Sequence, residues 1–424
     1  MSASNKFNFD SFIMINTRLL FLFLPFMFVL SFYIPYIALF KEIIVAITIF
    51  IIVATFAIKK KHSLNSYIFI LFLFVVYGLL HVLISNLSLN ISLDKFRLTY
   101  LYPIFFLFLH LYFLNFKKGL DYQEIKIERI FIVQSIVMTF FGLIQFLYGD
   151  SFLRWLYQGR LEDLHINLLG QQGIRLISLM VNPIIFGLFL AIGTVFILFN
   201  SKINKFFKYI LTGLMGFCIL FTFSRVAYVA FFLTLIFYLI FKKISVPKMI
   251  LNSLVVILLG SFVFTGSLSG DNVISQRLDQ TSINELKDNV RMDNWTHYLG
   301  LNLLNDSFSF IWGSGLGSSN SDSSIEDPRI NRVENSYVSY LGETGFLGLL
   351  FIIFFICRFF SNALYLYKKQ KIREANILVC IMLIILIGSF GNDLLHNNPF
   401  SFYFWAILFM SEEMKRLQMR NRHD

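Results

Sequence analysis

The chain has 424 residues, of which 57% are hydrophobic, 18% aromatic and only 14% charged, and its mean hydropathy is +0.70. Soluble domains carry about a quarter charged residues, so this balance excludes an ordinary water-soluble globule and points to a chain that rests in lipid. The formal net charge of +11 fits nucleic-acid binding by sign alone, but membrane proteins share that sign because Lys and Arg gather in cytoplasmic loops, and placement decides between the two.

A helix needs about 17–25 apolar residues to cross the hydrocarbon layer. Such stretches fall at 19–36, 43–58, 67–84, 98–114, 130–148, 175–199, 206–222, 225–241, 249–266, 337–365, 375–392 and 399–411. The first outruns a signal-peptide core and shows no small-residue cleavage pattern, so it reads as a retained span. The connections are then basic in strict alternation: Lys59 to Lys61; Lys117, Lys118, Lys126 and Arg129; Lys202, Lys205 and Lys208; Lys242, Lys243 and Lys248; Lys368, Lys369, Lys371 and Arg373; and a tail with Lys415, Arg416, Arg420 and Arg422. Short basic loops lie inside, which predicts both termini in the cytoplasm and no nucleic-acid partner. The expected fold is an all-α polytopic membrane protein with about 12 transmembrane helices. Residues 1–266 hold the first nine, 267–336 form a large extracytoplasmic loop, and 337–424 hold the last three with a basic tail. Cys218, Cys357 and Cys380 fall inside apolar stretches, where a thiol acts as a small hydrophobe, and no disulfide is expected.

Two outer segments, 149–174 and 267–336, are longer than simple links, and loops of that size usually have a function. Within the second, Leu286, Val290, Trp295, Leu299 and Leu303 recur at near-helical spacing over 283–304 and predict an amphipathic helix at the membrane surface. A Gly- and Ser-rich stretch, 313–324, follows as an irregular turn, with GSGLG at its start read as a flexible turn. Its GSGLG (313–317) lacks the preceding strand and the Lys-Ser or Lys-Thr pair of a nucleotide loop.

Arginine at the edge of a span is costly, about 2.5–3.5 kcal/mol at mid-membrane, so three outward cases need a reason. They are Arg175 in GIRLISLMVNPIIFG (173–187), Arg225 in TFSRVAYVAF (222–231) and Arg291 in RMDNW (291–295). A single arginine at a helix end ordinarily snorkels to headgroups. Several that converge suit a diphosphate, because the guanidinium stays charged and offers a planar fork of donors. Glu334 and Asn335 precede the tenth span and Glu343 lies near its mouth. Glu334 has two readings, a general base near an apolar surface or, with Asn335, a cap on the helix start. For His110, inside the fourth span, a packing role is expected. Asp393 and His396, in GNDLLHNNPF (391–400), read first as a hydrogen-bonded turn ahead of Pro399 and second as lining the same cavity. No Asp-x-Asp, Cys-x-x-Cys or His-x-x-x-His pattern appears in the outer loops, so neither metal nor cofactor is expected.

In arrangement and motifs the chain resembles the O-antigen and capsule polymerase (Wzy) and O-antigen ligase superfamily of bacterial membrane glycosyltransferases. The motifs that carry the resemblance are Arg175 with Asn182, Pro183 and Gly187; Thr222 to Arg225; Arg291 with Trp295; Gly313, Gly315 and Gly317; and Asn335, Tyr337, Gly342, Gly345 and Gly348. In the ligase branch a His, assigned to activating the acceptor, precedes that last Asn. Here it is Glu334, which looks more like a polymerase. The resemblance implies a GT-C-like architecture in the bacterial inner membrane and transfer of a growing glycan from undecaprenyl diphosphate to the terminal sugar hydroxyl of a lipid-linked repeat unit. It implies Glu334 as base and Arg225 and Arg291 as catalytic stabilisers of the diphosphate. Arg175, Asn335, Tyr337, Asn182 and Trp295 are the implied substrate-binding residues, and an undecaprenyl-diphosphate-linked oligosaccharide, membrane lipid and a chain-length regulator the implied partners. The alternatives are an O-antigen ligase and, from another class, a lipid-linked glycan flippase or transporter, since twelve spans with both ends inside is also a carrier layout.

Overall fold

The computed structural model describes residues 9–59, 63–85, 87–116, 126–159, 167–168, 171–180, 182–241, 290–303, 307–319 and 333–420. Helices account for nearly all of it. In chain order they are α1 (Phe9–Phe23), joined through a 3-10 turn at Leu24–Phe26 to α2 (Met27–Tyr33), then α3 (Phe40–Lys59), α4 (Ser66–Ile84), α5 (Leu89–Phe116) and α6 (Ile127–Leu156). After a small antiparallel hairpin of Asn167–Leu168 with Gln171–Ile174 come α7 (Pro183–Phe199), α8 (Lys205–Leu220) and α9 (Arg225–Phe241). The remainder are α10 (Val290–Leu303), α11 (Ser307–Trp312), α12 (Ser336–Lys368), α13 (Ile372–Gly391) and α14 (Phe400–Arg420).

Seven helical segments among the described residues are long and apolar enough to cross a membrane, with α7 and α9 as shorter apolar helices. Their outward faces carry Phe50, Leu83 and Ile58, each more than 70% exposed, a surface that only lipid solvates well. The chain is an all-α polytopic membrane protein. Every expected span except the ninth falls on a helix; that one, 249–266, lies outside the described residues, as does 283–289 of the expected amphipathic helix, which is seen over Val290–Leu303.

Recurring caps explain where several helices start. Asn65, Asn182, Asn204 and Asn335 each accept a bond from a first-turn amide through the side chain, satisfying a donor that the helix itself leaves open. The sixth span begins later than the sequence suggests: residues 175–177 are outside any helix, and the helix starts at Pro183. The amides that would continue a helix are used elsewhere, Leu176 N donating to Phe221 O and Ile177 N and Ser178 N to the Gln145 side chain.

The two ends of the bundle differ. At one end Arg373 donates to both oxygens of Glu128 at 2.7 Å and to Phe199 O, Asn115 bonds Ser63, and the Lys59 ammonium stands over the Phe116 ring. The basic residues Lys59 and Arg373, from two of the alternating basic connections, therefore share this end with the helix ends at Phe116, Glu128 and Phe199. Ser85, Lys95, Arg175, Thr222, Asn335 and Asp393 belong to the other, where the candidate site is built.

Candidate active site

Each arginine motif has a local structural logic. In Thr222 to Arg225, Phe223 takes a left-handed backbone (φ 51°) and reverses the chain. The Ser224 hydroxyl then caps α9 by accepting from Ala227 N at 3.3 Å, and Arg225 stands in the first helical position, exposed. A cation is disfavoured at the positive end of a helix, and Arg225 has no partner among the described residues. Its placement serves something other than the stability of α9.

Arg175 comes to the same turn from the other side. Its Nε donates to Thr222 O at 2.8 Å. The non-helical stretch that carries it hangs on one buried amide, Gln145, whose Nε2 donates to Arg175 O while its Oε1 accepts from Ile177 N and Ser178 N, all at 2.8–2.9 Å. Asn182 is the cap of α7, bonded to Ile184 N at 2.8 Å, and Pro183 opens the helix. Gly187 lets α9 approach: a Cβ built on it would stand 2.6 Å from the Cβ of Ala227. In this structure Asn182 is occupied in shaping the rim.

Glu334 and Asn335 sit at the head of α12. Asn335 is buried, accepts from Tyr337 N and Val338 N, and donates to Phe390 O at the end of α13. Tyr337 gives its hydroxyl to Leu386 O at 2.9 Å and lays its ring on Phe390. Both residues thus fix α12 to α13, and half-buried Glu334 precedes them at the rim. Val226, next to Arg225, packs against Gly391. The heads of α9 and α12 are in this way gathered around the end of α13, which places Arg175, Arg225 and Glu334 on one rim. Trp295 is half-buried on α10, and Arg291 lies in the first turn of that helix with its side chain outside the described residues.

Beneath the rim lies a buried polar cluster that hydropathy does not reveal. Lys95 of α5, 3% exposed, lies 3.1 Å from Glu343 and 3.6 Å from Asp393. The other Asp393 oxygen takes a 2.6 Å bond from His396 Nδ1, and the His396 ring stacks near Tyr340. The turn that bears Asp393 is tied to α12 through Ser336, whose hydroxyl donates to Asn392 O and accepts from Leu395 N. Of the two sequence readings of Asp393 and His396, the bonded turn is what this arrangement displays. Tyr298 of α10 is fully buried against Gly342 with its hydroxyl 3.0 Å from Ser318 Oγ. Burial holds this phenol well above its ordinary pKa, and the charges of Glu343 and Asp393 push the same way, so it stays protonated.

The GSGLG stretch is not the flexible turn expected. Gly313, Gly315 and Gly317 are buried with positive φ, and Ser314 N and Gly315 N donate to Gly342 O and Glu343 O. Gly345, also at positive φ (65°), kinks α12 and leaves room for Ile311 and Gly313 against its Cα. A side chain at Gly313 or Gly345 would strike backbone, which explains the glycines on both partners.

An apolar cleft of about 590 Å³ opens between α1, α2 and α6, with Leu179 of the Arg175 segment in its lining. The Pro25 break between α1 and α2 and the Gly149 break in α6 shape it, so that Phe26, Leu30 and Tyr33 face Trp155, Leu156 and Leu179. Leu179 follows Arg175 by four positions in the same segment. Tyr33 donates to Leu156 O, and Tyr157 to Ser178 O, closing the wall onto that segment.

Residues 210–353 are similar to the protein family whose model is described as O-antigen ligase. The matched stretch runs from α8 through the Thr222–Arg225 turn, the loop helix and the glycine turn into the first half of α12. No curated protein matches the chain.

Proposed function

We propose that this chain, a member of the O-antigen ligase-like superfamily through residues 210–353, is a polysaccharide polymerase that joins glycans carried on undecaprenyl diphosphate at the extracytoplasmic face of the bacterial inner membrane. What supports the reading is that Arg175 bonds the turn that carries Arg225, while the heads of α9 and of α12, the latter preceded by Glu334, both pack on the end of α13. An exposed guanidinium with no partner among the described residues, beside a second bonded to the same turn, suits a doubly charged leaving group. The cleft of about 590 Å³ is of the size that takes a hydrophobic ligand, here part of the polyprenyl chain. The basic residues Lys59 and Arg373 at the opposite end support a cytoplasmic position for that end and for both termini.

In the proposed reaction the acceptor hydroxyl of a lipid-linked repeat attacks the anomeric carbon of the donor glycan. The new carbon–oxygen bond forms as the bond from that carbon to the phosphate oxygen breaks, and the electron pair leaves with the diphosphate. Arg225 and Arg291, assisted by Arg175, neutralise the charge that builds there. Glu334 takes the hydroxyl proton. Asn335 and Tyr337 act by holding the head of α12, and Asn182 by holding the head of α7, so their contribution is to position the rim; Trp295 supports the substrate from the loop helix. The chemistry proposed for these residues calls on no cofactor. A chain-length regulator acts as partner in the same reading.

The printed family description favours a second reading, an O-antigen ligase, which would require a lipid A core as acceptor. The test is the surface glycan of a polymerase-null strain complemented with Arg225→Ala or Arg291→Ala. The ladder collapses to single repeats; a normal ladder removes these residues from the mechanism, and activity that appears only with a lipid A core acceptor assigns the chain to the ligases.

A further inference from the structure

The large loop returns to the bundle through residues 312–319, held by Ser314 N on Gly342 O, by His81 on Trp312 O, by the Ser85 hydroxyl on Leu316 O, and by a group of bonds that converge on one acidic residue. The backbone oxygen of Glu343 accepts from Gly315 N, and its carboxylate oxygen Oε1 accepts from Ser319 N at 3.4 Å and from the Ser319 hydroxyl. Lys95 bridges to the same place, its ammonium 3.1 Å from Glu343 and 3.3 Å from Ser319 Oγ. Loop helix α10 is attached to this segment through Tyr298 and Ser318, and to α12 through Tyr298 on Gly342.

Lys95 offsets part of the negative charge of this cluster. Two carboxylates, Glu343 and Asp393, are each at least nine-tenths buried, and Lys95 is the cation between them. Oε2 of Glu343 and Nε2 of His396 are buried with no hydrogen-bond partner among the described residues. A buried ion pair is a poor device for stability alone, since apolar residues of equal volume do as well or better, but it fixes relative position, because its parts tolerate no other arrangement. Removing the lysine leaves two carboxylates facing each other out of water, which is strongly unfavourable.

We propose that Lys95 and Glu343 are positioning residues whose buried pair pins segment 312–319, and with it α10, onto the bundle in the arrangement that glycan extension requires. The pin itself stands on geometry alone; only its service to catalysis rests on the polymerase reading.

Amide hydrogen exchange on the purified full chain tests the pin independently of activity. In Lys95→Met the amides of Ser314 and Gly315 exchange at least tenfold faster than in the native chain, while the core of α7 is unchanged. The double variant Lys95→Met/Glu343→Gln removes both charges yet keeps an acceptor for Ser319, and it returns exchange to within threefold of native; polymerisation falls in the single variant and recovers in the double. If Lys95→Met does not assemble, Glu343→Gln against Glu343→Ala makes the same comparison, with protection kept in the first and lost in the second. Unchanged protection in Lys95→Met, a double variant as exposed as the single, or equal exchange in the two Glu343 variants overturns the proposal. Exchange that follows the pattern while even the native chain extends no glycan upholds the pin and refutes the polymerase reading instead.

Discussion

Replacing Arg225 with alanine separates function from stability at one residue. Arg225 is exposed at the first position of α9 and has no partner among the described residues. Its loss costs no packing, and it removes a cation from the positive end of the helix dipole, worth about 0.3–1 kcal/mol in favour of the variant. Ser224 still caps α9 and Arg175 still bonds Thr222 O, so the turn keeps its shape. If Arg225 stabilises the departing diphosphate, loss of one such donor lowers the rate of glycan extension about 100- to 1,000-fold. Thermal unfolding of the purified variant in detergent, followed by intrinsic fluorescence, should show a midpoint equal to or slightly above the native one. Extension of a lipid-linked repeat should fall by at least two orders of magnitude in the same preparation. A variant that extends glycan at the native rate, or that unfolds several degrees lower, refutes the reasoning.

Other residues give tests of the frame. Gln145→Leu strips three backbone groups of the Arg175 segment of their partners and should cost roughly 2–5 kcal/mol, read as a lowered unfolding midpoint with loss of activity. Gly345→Ala forces a side chain into a left-handed position against the backbone of Ile311 and Gly313; about 3 kcal/mol or more is lost, and the variant should be recovered in reduced amount by gel filtration. At the opposite end, Arg373→Ala breaks the paired bonds to Glu128, about a third of the arginine side chain being exposed. A double-mutant cycle with Glu128→Ala should give a coupling of about 1 kcal/mol and leave glycan extension unaffected.

Much of the frame is legible in the sequence because lipid demands long apolar runs, and because Asn182 with Pro183, Asn335 and the Thr222–Arg225 turn write helix starts in residues that act locally. The late start of α7 is not legible. It depends on Gln145, a single polar residue inside an apolar span whose three bonds reach across 30 or more positions. The buried cluster is hidden for the same reason. Lys95 and Ser319 are 224 positions apart, and Lys95 looks like one more charge at a span edge until α5, α12 and the 392–398 turn are packed together. The glycines of 313–317 suggest freedom when read alone, and the structure shows them chosen for tight contact with Gly345 and Ser85. Asn335 and Tyr337, expected to orient base or sugar, are occupied by α12 and α13 in the described structure, a pairing that only the packed helices reveal.

The most direct test of the central claim uses purified chain in detergent with a polyprenyl-diphosphate-linked repeat unit as donor and acceptor. A glycan-joining enzyme forms products of two, three and more repeats with no membrane barrier present, and releases one polyprenyl diphosphate for each bond made. Products that never exceed the starting repeat, together with movement of the lipid-linked unit across sealed vesicles, would show a carrier and contradict the account.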